Sequence, residues 1–293
     1  MALKTYPWDI ADHIETYEDV DLYLEGAREE EGEDPGLVDT ILDAIVRSKA
    51  MSKLAANWAA DGQIYEYIRE ESKKTLAAYG SQPNLVAEHA NTEEDTARGG
   101  YANRQLLELA QNGADALSLS DSGQIWIRLT QTHLYCADEG QPIDEDGVRA
   151  LMFSHLSPKR GSDEIGRFGL GFKSVLGVTD TPEFFSRSGS FRFDHASAVD
   201  RIRSVAPDVE RFPALRLPEA IHPIREAAKD PSLREFMGWA TNIVRLPLKP
   251  GAYETLDKQV EEFPAEFLLF AGHVKRLVLE TDRREVIVPG LLG

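Results

Sequence analysis

The spacing of apolar and polar positions changes from helical to strand-like along the chain. Helical periodicity runs through the first seventy or so residues and returns over 106–117, and a polar, helix-prone insertion covers 194–238. Strand-like runs are predicted at 125–137, 241–248, 274–280 and 285–288. A chain of 293 residues can form one large and one small domain. We therefore expect a helical segment over 1–75 and an α/β domain over 76–293.

The helix predicted over 106–117 carries three polar residues on one face. Glu108, Asn112 and Asp115 stand at positions i, i+4 and i+7, while leucines fill the rest of the helix. A helix that only covers a core would keep its buried face apolar. A carboxylate stacked over an amide oxygen suits the activation of water beside a metal ion, so this face is a candidate site.

An acidic turn over 138–142 follows the strand-like run at 125–137. The Asp138 side chain can accept a hydrogen bond from an amino group, and Gly140 leaves room because it has no Cβ. Together they could hold the edge of an adenine in a mostly apolar slot. Asp and Gly are also standard turn residues, so an ordinary turn is the alternative.

A glycine-rich segment over 164–174 precedes an apolar helix predicted at 172–178. Gly166, Gly169 and Gly171 leave backbone N–H groups free to face phosphate oxygens at the positive end of that helix. The segment lacks the strand and distant acid of a dinucleotide fingerprint, and it lacks the Gly-Lys-Ser/Thr of a Walker loop. A further strand is predicted to begin at Thr241, where a β-branched residue chosen for strand propensity is the alternative to a functional one.

The order of polar helix, strand, acidic turn and glycine-rich loop resembles the GHKL, or Bergerat-fold, ATPase superfamily. The resemblance covers about the last two thirds of the chain. Residues 99–101 and 157–161 are most similar to the chaperone-related, sacsin-type ATP-binding proteins of bacteria. The resemblance implies a two-layer α/β sandwich, in which a mixed, mostly antiparallel sheet carries helices on one face and nucleotide lies between the helices and the glycine-rich loop.

The resemblance also implies roles for individual residues, with ATP and Mg²⁺ as ligands. Asn112 would supply an oxygen ligand to Mg²⁺, and Glu108 would polarise the attacking water. Thr241 would join a water network around the adenine and its aspartate. The residues expected to bind ATP are Asn112, Asp115, Asp138, Gly140, Ser157, Lys159, Gly166, Phe168, Gly169, Gly171, Lys173 and Thr241. Pro142 departs from the pattern, because many relatives have a second glycine there, so either a stiffer turn or a loop that leaves in another direction is expected.

The function implied is Mg²⁺-dependent ATP binding with slow hydrolysis to ADP and phosphate, by a chaperone-like module that drives conformational change in a larger assembly. In clamp-forming relatives a downstream domain sends a lysine to the γ-phosphate. This sequence stops soon after residue 290, so slow or absent turnover is expected. A nucleotide-sensing or partner-binding module without turnover is the alternative. The partner in such an assembly is left open between a second copy of the chain and a downstream protein.

The N-terminal segment, residues 1–75, shows a different pattern from the rest of the chain. Residues 3–55 resemble the antitoxins of addiction modules, which read DNA with a helix-turn-helix, so a DNA-binding regulator fused to an ATP-binding domain is a third alternative. The likeness ends at residues 58–65, where a recognition helix would be needed. The acidic run at 29–34 lacks the Lys and Arg that neutralise phosphates. We expect docking to protein, or a structural role, rather than DNA binding.

Composition limits the remaining classes of function. The net charge of −18 disfavours nonspecific binding to nucleic acid or to anionic membranes. No apolar stretch reaches the length of a membrane span and no signal segment opens the chain, so a cytoplasmic protein is expected. The single cysteine, Cys136, excludes an internal disulfide, and the seven histidines show no metal-ligand spacing.

Overall fold

The computed structural model describes residues 8–32, 34–58, 63–99, 103–120, 122–153, 171–264 and 266–289. Two short 3-10 helices span Ile10–His13 and Phe172–Gly177. The α-helices are α1 (Tyr17–Glu30), α2 (Leu37–Arg47), α3 (Lys49–Trp58), α4 (Gln63–Ser81), α5 (Asn84–Arg98), α6 (Gln105–Ser118), α7 (Glu145–Met152), α8 (His195–Arg203), α9 (Pro223–Lys229), α10 (Pro231–Met237), α11 (Ala252–Glu261) and α12 (Phe267–Phe270). The strands are β1 (Gly123–Leu129), β2 (His133–Asp138), β3 (Glu183–Ser186), β4 (Phe191–Phe193), β5 (Pro218–Ala220), β6 (Asn242–Pro247), β7 (Val274–Thr281) and β8 (Arg284–Pro289).

The chain divides into two compact units, and they do not follow one boundary in the sequence. One unit contains the described residues up to Trp58 together with 222–238, and the other contains the described residues of 63–221 and 239–289. The helix α4 runs through residue 75, the boundary expected from the sequence, and belongs to the second unit. Whether residues 1–75 and 76–293 fold as separate domains stays a prediction.

The first unit is helical throughout its described part. Helix α1 begins with a capping box, in which the Thr16 hydroxyl accepts from the Asp19 N–H and the Asp19 carboxylate accepts from the Thr16 N–H. Helices α2 and α3 pack against α9, which lies in the insertion at 194–238. The buried Trp58 indole donates to the Met237 carbonyl at 2.9 Å. Part of the insertion at 194–238 therefore completes the core of the N-terminal helices.

The second unit is built on an eight-stranded sheet. The strand order is β5-β4-β3-β6-β2-β1-β7-β8, and every neighbouring pair is antiparallel except β1 and β7. The expected class, an α/β fold with a mixed, mostly antiparallel sheet and a helical N-terminal part, is confirmed. The strands predicted at 274–280 and 285–288 are β7 and β8. The sheet is open, with β5 and β8 at its edges.

The strand-like run at 125–137 proves to be two strands. Strands β1 and β2 form an antiparallel hairpin that pairs Ile125 with Asp138 and Leu129 with Leu134. The Thr130 N–H donates to the His133 carbonyl at 2.8 Å and closes the turn. The polar turn between the two strands is short, so the apolar pattern on both sides of it reads as one strand in the sequence. The hairpin matters for the site, because it places Asp138 at the end of a central strand.

Helix α6 packs against β1 and β2 through its leucines. Leu106, Leu109 and Leu117 are buried with Ile125 and Ile127 in the main core of this unit. The helix expected over 106–117 is confirmed, and burying its apolar face leaves Asn112 and Asp115 at the border of the core. Among the described residues, no helix is long and apolar enough to cross a membrane.

Candidate functional site

A cleft of about 530 Å³ opens between α6, α7 and the ends of β2, β3 and β6. This volume lies within the range of small-molecule sites, which is about 300 to 1,000 Å³. Its walls are mostly apolar and include Leu109, Cys136, Ile143, Leu151, Phe172, Phe184, Phe185, Ile243 and Val244. The polar lining includes Asn112, Asp115, Asp138, Asp144, Asp146, Ser186 and Asn242. The pattern of an apolar slot with a few polar groups is typical of a ligand site.

Asp138 is a polar group of the cleft that is held by two hydrogen bonds. Its Oδ1 accepts from the Gly140 N–H at 2.8 Å and from the Asn242 side-chain amide at 2.9 Å. Within the described part of the chain, no hydrogen bond ends on Oδ2. Burial raises the pKa of the Asp138 carboxyl to about 7, although the hydrogen bonds from Asn242 and Gly140 act against this shift. The carboxyl therefore keeps one acceptor oxygen for a ligand.

Gly140 is required by packing rather than by its own backbone angles. A Cβ at this position would lie 2.6 Å from the backbone carbon of Ala116 and 2.8 Å from its carbonyl oxygen. The Gln141 N–H donates to that same carbonyl at 3.1 Å, so the acidic turn rests directly on α6. This close approach brings Asp138 next to the helix that carries Asn112. Two segments predicted separately from the sequence thus meet in one cleft.

Glu108 lies beside the cleft and is not among its described lining residues. The side chain is buried, and burial raises the pKa of the carboxyl, with Arg104 acting in the opposite direction. Its Oε2 packs directly against Gly171, where an added Cβ would lie only 1.7 Å away. The glycine therefore creates the space that Glu108 occupies. Gly171 and Glu108 come together although the sequence analysis assigned them to different tasks.

The remaining predicted residues are placed as follows. Ser157, Lys159, Gly166, Phe168 and Gly169 lie outside the described residues. The helix predicted at 172–178 is a 3-10 helix of six residues, closed by i to i+3 bonds such as that from the Val178 N–H to the Val175 carbonyl. So short a helix supplies little of the end charge expected for phosphate binding.

Lys173 is fully buried and does not line the described part of the cleft. Burial lowers the pKa of its ammonium group to about 8, a shift that Glu93 opposes and Arg216 reinforces. Among the described residues, none is a hydrogen-bond partner of its Nζ. Lys173 is thus outside the described lining of the cleft, and its role as a phosphate contact stays a prediction.

Thr241 precedes strand β6 and contacts Asp138 through the backbone. Its N–H donates to the Asp138 carbonyl at 2.8 Å, while the side chain that reaches the Asp138 carboxylate belongs to the next residue, Asn242. Sequence analysis missed Asn242 and also Ser186, which is paired with it in the sheet. The available signal was strand alternation: Asn242 is the polar member of a series whose next members are Val244 and Leu246.

The end of the cleft at α6 offers hard oxygen donors. The Asn112 amide and the Asp115 carboxylate both line it, and such oxygens suit Mg²⁺. Among the described residues, no group of three or more His, Cys, Asp or Glu side chains is arranged to hold a metal ion. Mg²⁺ typically takes only one or two protein ligands and completes its octahedron with waters and phosphate oxygens, so this donor set fits it.

Fold and cleft together define an α/β protein with an open mixed sheet and a cleft, of the size of small-molecule sites, at the ends of central strands. No family model matches the chain. The chain is similar to sacsin from Homo sapiens, with 27% identity over 169 residues. The matched part is 55% of this chain and 4% of sacsin, so the chain spans a small fraction of that protein's length. The similarity indicates a distant relationship to a sacsin-like region.

Proposed function

We propose that the cleft binds ATP with Mg²⁺ and that the protein is a chaperone-like module of the GHKL type, which hydrolyses ATP slowly to drive conformational change in a larger assembly. The distant similarity to sacsin and the order of polar helix, acidic turn and glycine-rich segment support this proposal. So does the meeting of Asn112 and Asp138 in one cleft. ADP is the expected product, and a homodimer or a downstream protein is the expected partner.

The single observation that carries the proposal is the state of the Asp138 carboxyl. Two donors occupy Oδ1, while Oδ2 is left as an acceptor in a mostly apolar cleft. A flat ligand with an exocyclic amino group, such as adenine, matches such a slot, because its ring is apolar on both faces and its amino group needs an acceptor. A hydrogen bond from a ligand amino group to this carboxylate oxygen would contribute about 1.5 to 3 kcal/mol, the range for hydrogen bonds to charged groups.

The phosphates need positive charge that the described lining lacks. Asp115, Asp138, Asp144 and Asp146 contribute carboxylates to it, whereas no Lys or Arg is found among its described residues. When bound through Asn112, Mg²⁺ would neutralise phosphate charge and align the γ-phosphate. Asn112 would orient the triphosphate toward α6, and Lys159 remains a candidate contact outside the described residues.

Glu108 is the residue proposed to polarise the attacking water. It stands one helical turn before Asn112, so its carboxylate would act beside the phosphates that Asn112 orients. Phosphoryl transfer depends on alignment more than on covalent chemistry from the protein, so the fixed packing of Glu108 on Gly171 is the relevant property. The raised pKa of the Glu108 carboxyl is compatible with accepting a proton late in the reaction.

A second candidate function is nucleotide sensing without significant turnover. It is favoured by the position of Glu108, which is buried and outside the described lining of the cleft. In that case ATP would order the site and partner binding would be the output. A phosphate-release assay separates the two functions, because only the ATPase loses activity when Glu108 is replaced by alanine.

The proposal is tested by calorimetric titration of ATP with and without Mg²⁺, using wild type, Asp138→Asn, Asn112→Ala and Glu108→Ala. We expect Asp138→Asn and Asn112→Ala to lose ATP binding. Glu108→Ala should keep ATP binding and lose phosphate release. Asp138→Asn is a well-matched probe, because an asparagine oxygen can still accept both hydrogen bonds at Oδ1. Unchanged ATP affinity in this variant would remove the adenine assignment.

The stability of Asp138→Asn provides the control for folding. The folded-state pKa of Asp138 is raised from 3.8 to about 7, so the ionised carboxyl disfavours the folded protein above pH 7 and has no such effect below about pH 4. At pH 8 the variant should therefore be at least as stable as wild type in urea unfolding. Loss of binding in a protein of undiminished stability would then report on recognition rather than folding.

A further inference from the structure

A directed chain of hydrogen bonds ends on Asp138. The Ile143 N–H donates to the Ser186 hydroxyl oxygen at 3.1 Å, and the Ser186 hydroxyl donates to the Asn242 Oδ1 at 2.8 Å. The Asn242 Nδ2 then donates to the Asp138 Oδ1 at 2.9 Å. The chain begins at Ile143, directly after the acidic turn, and passes through β3 and β6, which are distant in sequence from the turn, back to the end of β2. Each member lies in or beside the cleft wall.

The direction of the protons follows from the partners of each group. The Ser188 hydroxyl donates to the Ile143 carbonyl at 2.5 Å, so its hydrogen is not available to Ser186. The Ser188 oxygen also lies 3.1 Å from the Ser186 oxygen, but the Asn242 Oδ1 is closer, at 2.8 Å, and can only accept, so we assign the single hydrogen of Ser186 to Asn242. The Asn242 Nδ2 also donates to the Gln141 carbonyl at 2.9 Å. Turning the amide over would place its oxygen against two acceptors, so the neighbours determine its orientation.

We propose that Ser186 and Asn242 are positioning residues that present Asp138 to the ligand as an ionised carboxylate, and that they make the cleft prefer a 6-amino purine over a 6-keto purine. The inference rests on the proposed function. Every bond in the chain donates toward Asp138, and donors favour the ionised form of a carboxyl. The remaining oxygen, Oδ2, is then purely an acceptor. A ligand amino group pairs with it, whereas a keto oxygen meets a second acceptor and both stay unpaired.

The charges around Asp138 explain why such positioning is needed. Asp115 on α6 and Asp144 and Asp146 at the start of α7 line the same cleft, Glu139 is adjacent in sequence, and the buried Cys136 lies on the same strand. The described residues of β3 and β6 in the cleft wall contribute neutral side chains. Burial and the charge of Glu139 raise the pKa of Asp138, and the hydrogen bonds from Asn242 and Gly140 lower it. Removing Asn242 should raise that pKa further.

The experiment compares ATP with inosine triphosphate, whose base carries a 6-keto group, by calorimetry from pH 6 to pH 9 on the full chain. The proteins are wild type, Asn242→Ala, Ser186→Ala and Ser186→Thr. In Asn242→Ala we expect ATP affinity to fall by about tenfold or more, the range of a hydrogen bond to a charged group. Affinity for inosine triphosphate should change little, so the preference collapses. The pH at which ATP binding is lost on acidification should move upward.

Ser186→Ala should shift the preference and the pH profile in the same direction by a smaller amount, and Ser186→Thr should restore both because it keeps the hydroxyl. This pair tests the inference even if Asn242→Ala does not fold. Wild-type protein that shows no ATP binding dependent on Asp138 would overturn the proposed function itself. If binding depends on Asp138 while every variant keeps the wild-type nucleotide preference and pH profile, only the positioning role is refuted.

Discussion

Replacing Gly171 by alanine should separate the chemistry of the site from its stability. The backbone at Gly171 has φ −62° and ψ −41°, which alanine adopts without strain, so the added Cβ is the only perturbation. That Cβ would lie 1.7 Å from the Glu108 Oε2 and 2.5 Å from its Cδ, whereas ordinary contact begins at 3.4 Å. The carboxylate must therefore withdraw by about 1.7 Å.

The size of the effect follows from this displacement. A misplacement of about 1 Å in a reacting group can reduce a rate by about a hundredfold. The clashing atoms are the far end of a flexible side chain, so the cost to folding should be near that of a strained rotamer, about 0.5 to 1.5 kcal/mol. We expect Gly171→Ala to lower phosphate release about as far as Glu108→Ala does, while ATP affinity stays near that of wild type.

The assays are phosphate release, calorimetric ATP binding and urea unfolding on four proteins: wild type, Glu108→Ala, Gly171→Ala and the double variant. In the double variant the alanine Cβ meets no carboxylate, so stability should recover and phosphate release should fall no further. Full turnover in Gly171→Ala would refute the reasoning. So would a double variant whose two effects simply add, because then Gly171 does not act through Glu108.

Two further predictions concern stability. Gly140→Ala should lower the free energy of unfolding by about 1 to 3 kcal/mol or more, because the added Cβ meets the backbone of Ala116, which cannot move aside as a side chain can. Urea unfolding measures this change, and an unchanged free energy of unfolding would contradict the prediction. Lys173→Met should stabilise the protein by up to roughly 3 kcal/mol at pH 7, since the ammonium pKa is lowered from 10.5 to about 8. The destabilisation of the wild-type protein by its buried ammonium group is fully present below pH 8 and is lost as the pH rises to 10.5. The free energies of unfolding of wild type and Lys173→Met should therefore converge near pH 10.5.

Local sequence patterns were sufficient for several of the elements and for part of the candidate site. The helical spacing of Glu108, Asn112 and Asp115 predicted α6 and its polar face, since periodicity is a property of neighbouring residues. Strands β7 and β8 were predicted within two residues for the same reason. The acidic turn was also visible, because Asp138 and Gly140 are residues that such turns favour.

Tertiary structure decided what joins these elements. Asn242 reaches Asp138 across 104 residues, and Ser186 reaches Asn242 across 56, so no local pattern marks them as partners. Packing also decided that Gly140 lies directly against α6 and that Gly171 leaves space for Glu108. It likewise decided that Lys173 is buried outside the described lining of the cleft. Periodicity in a sequence determines which face of an element is apolar, whereas the close approach of two distant segments depends on the shape of the whole core.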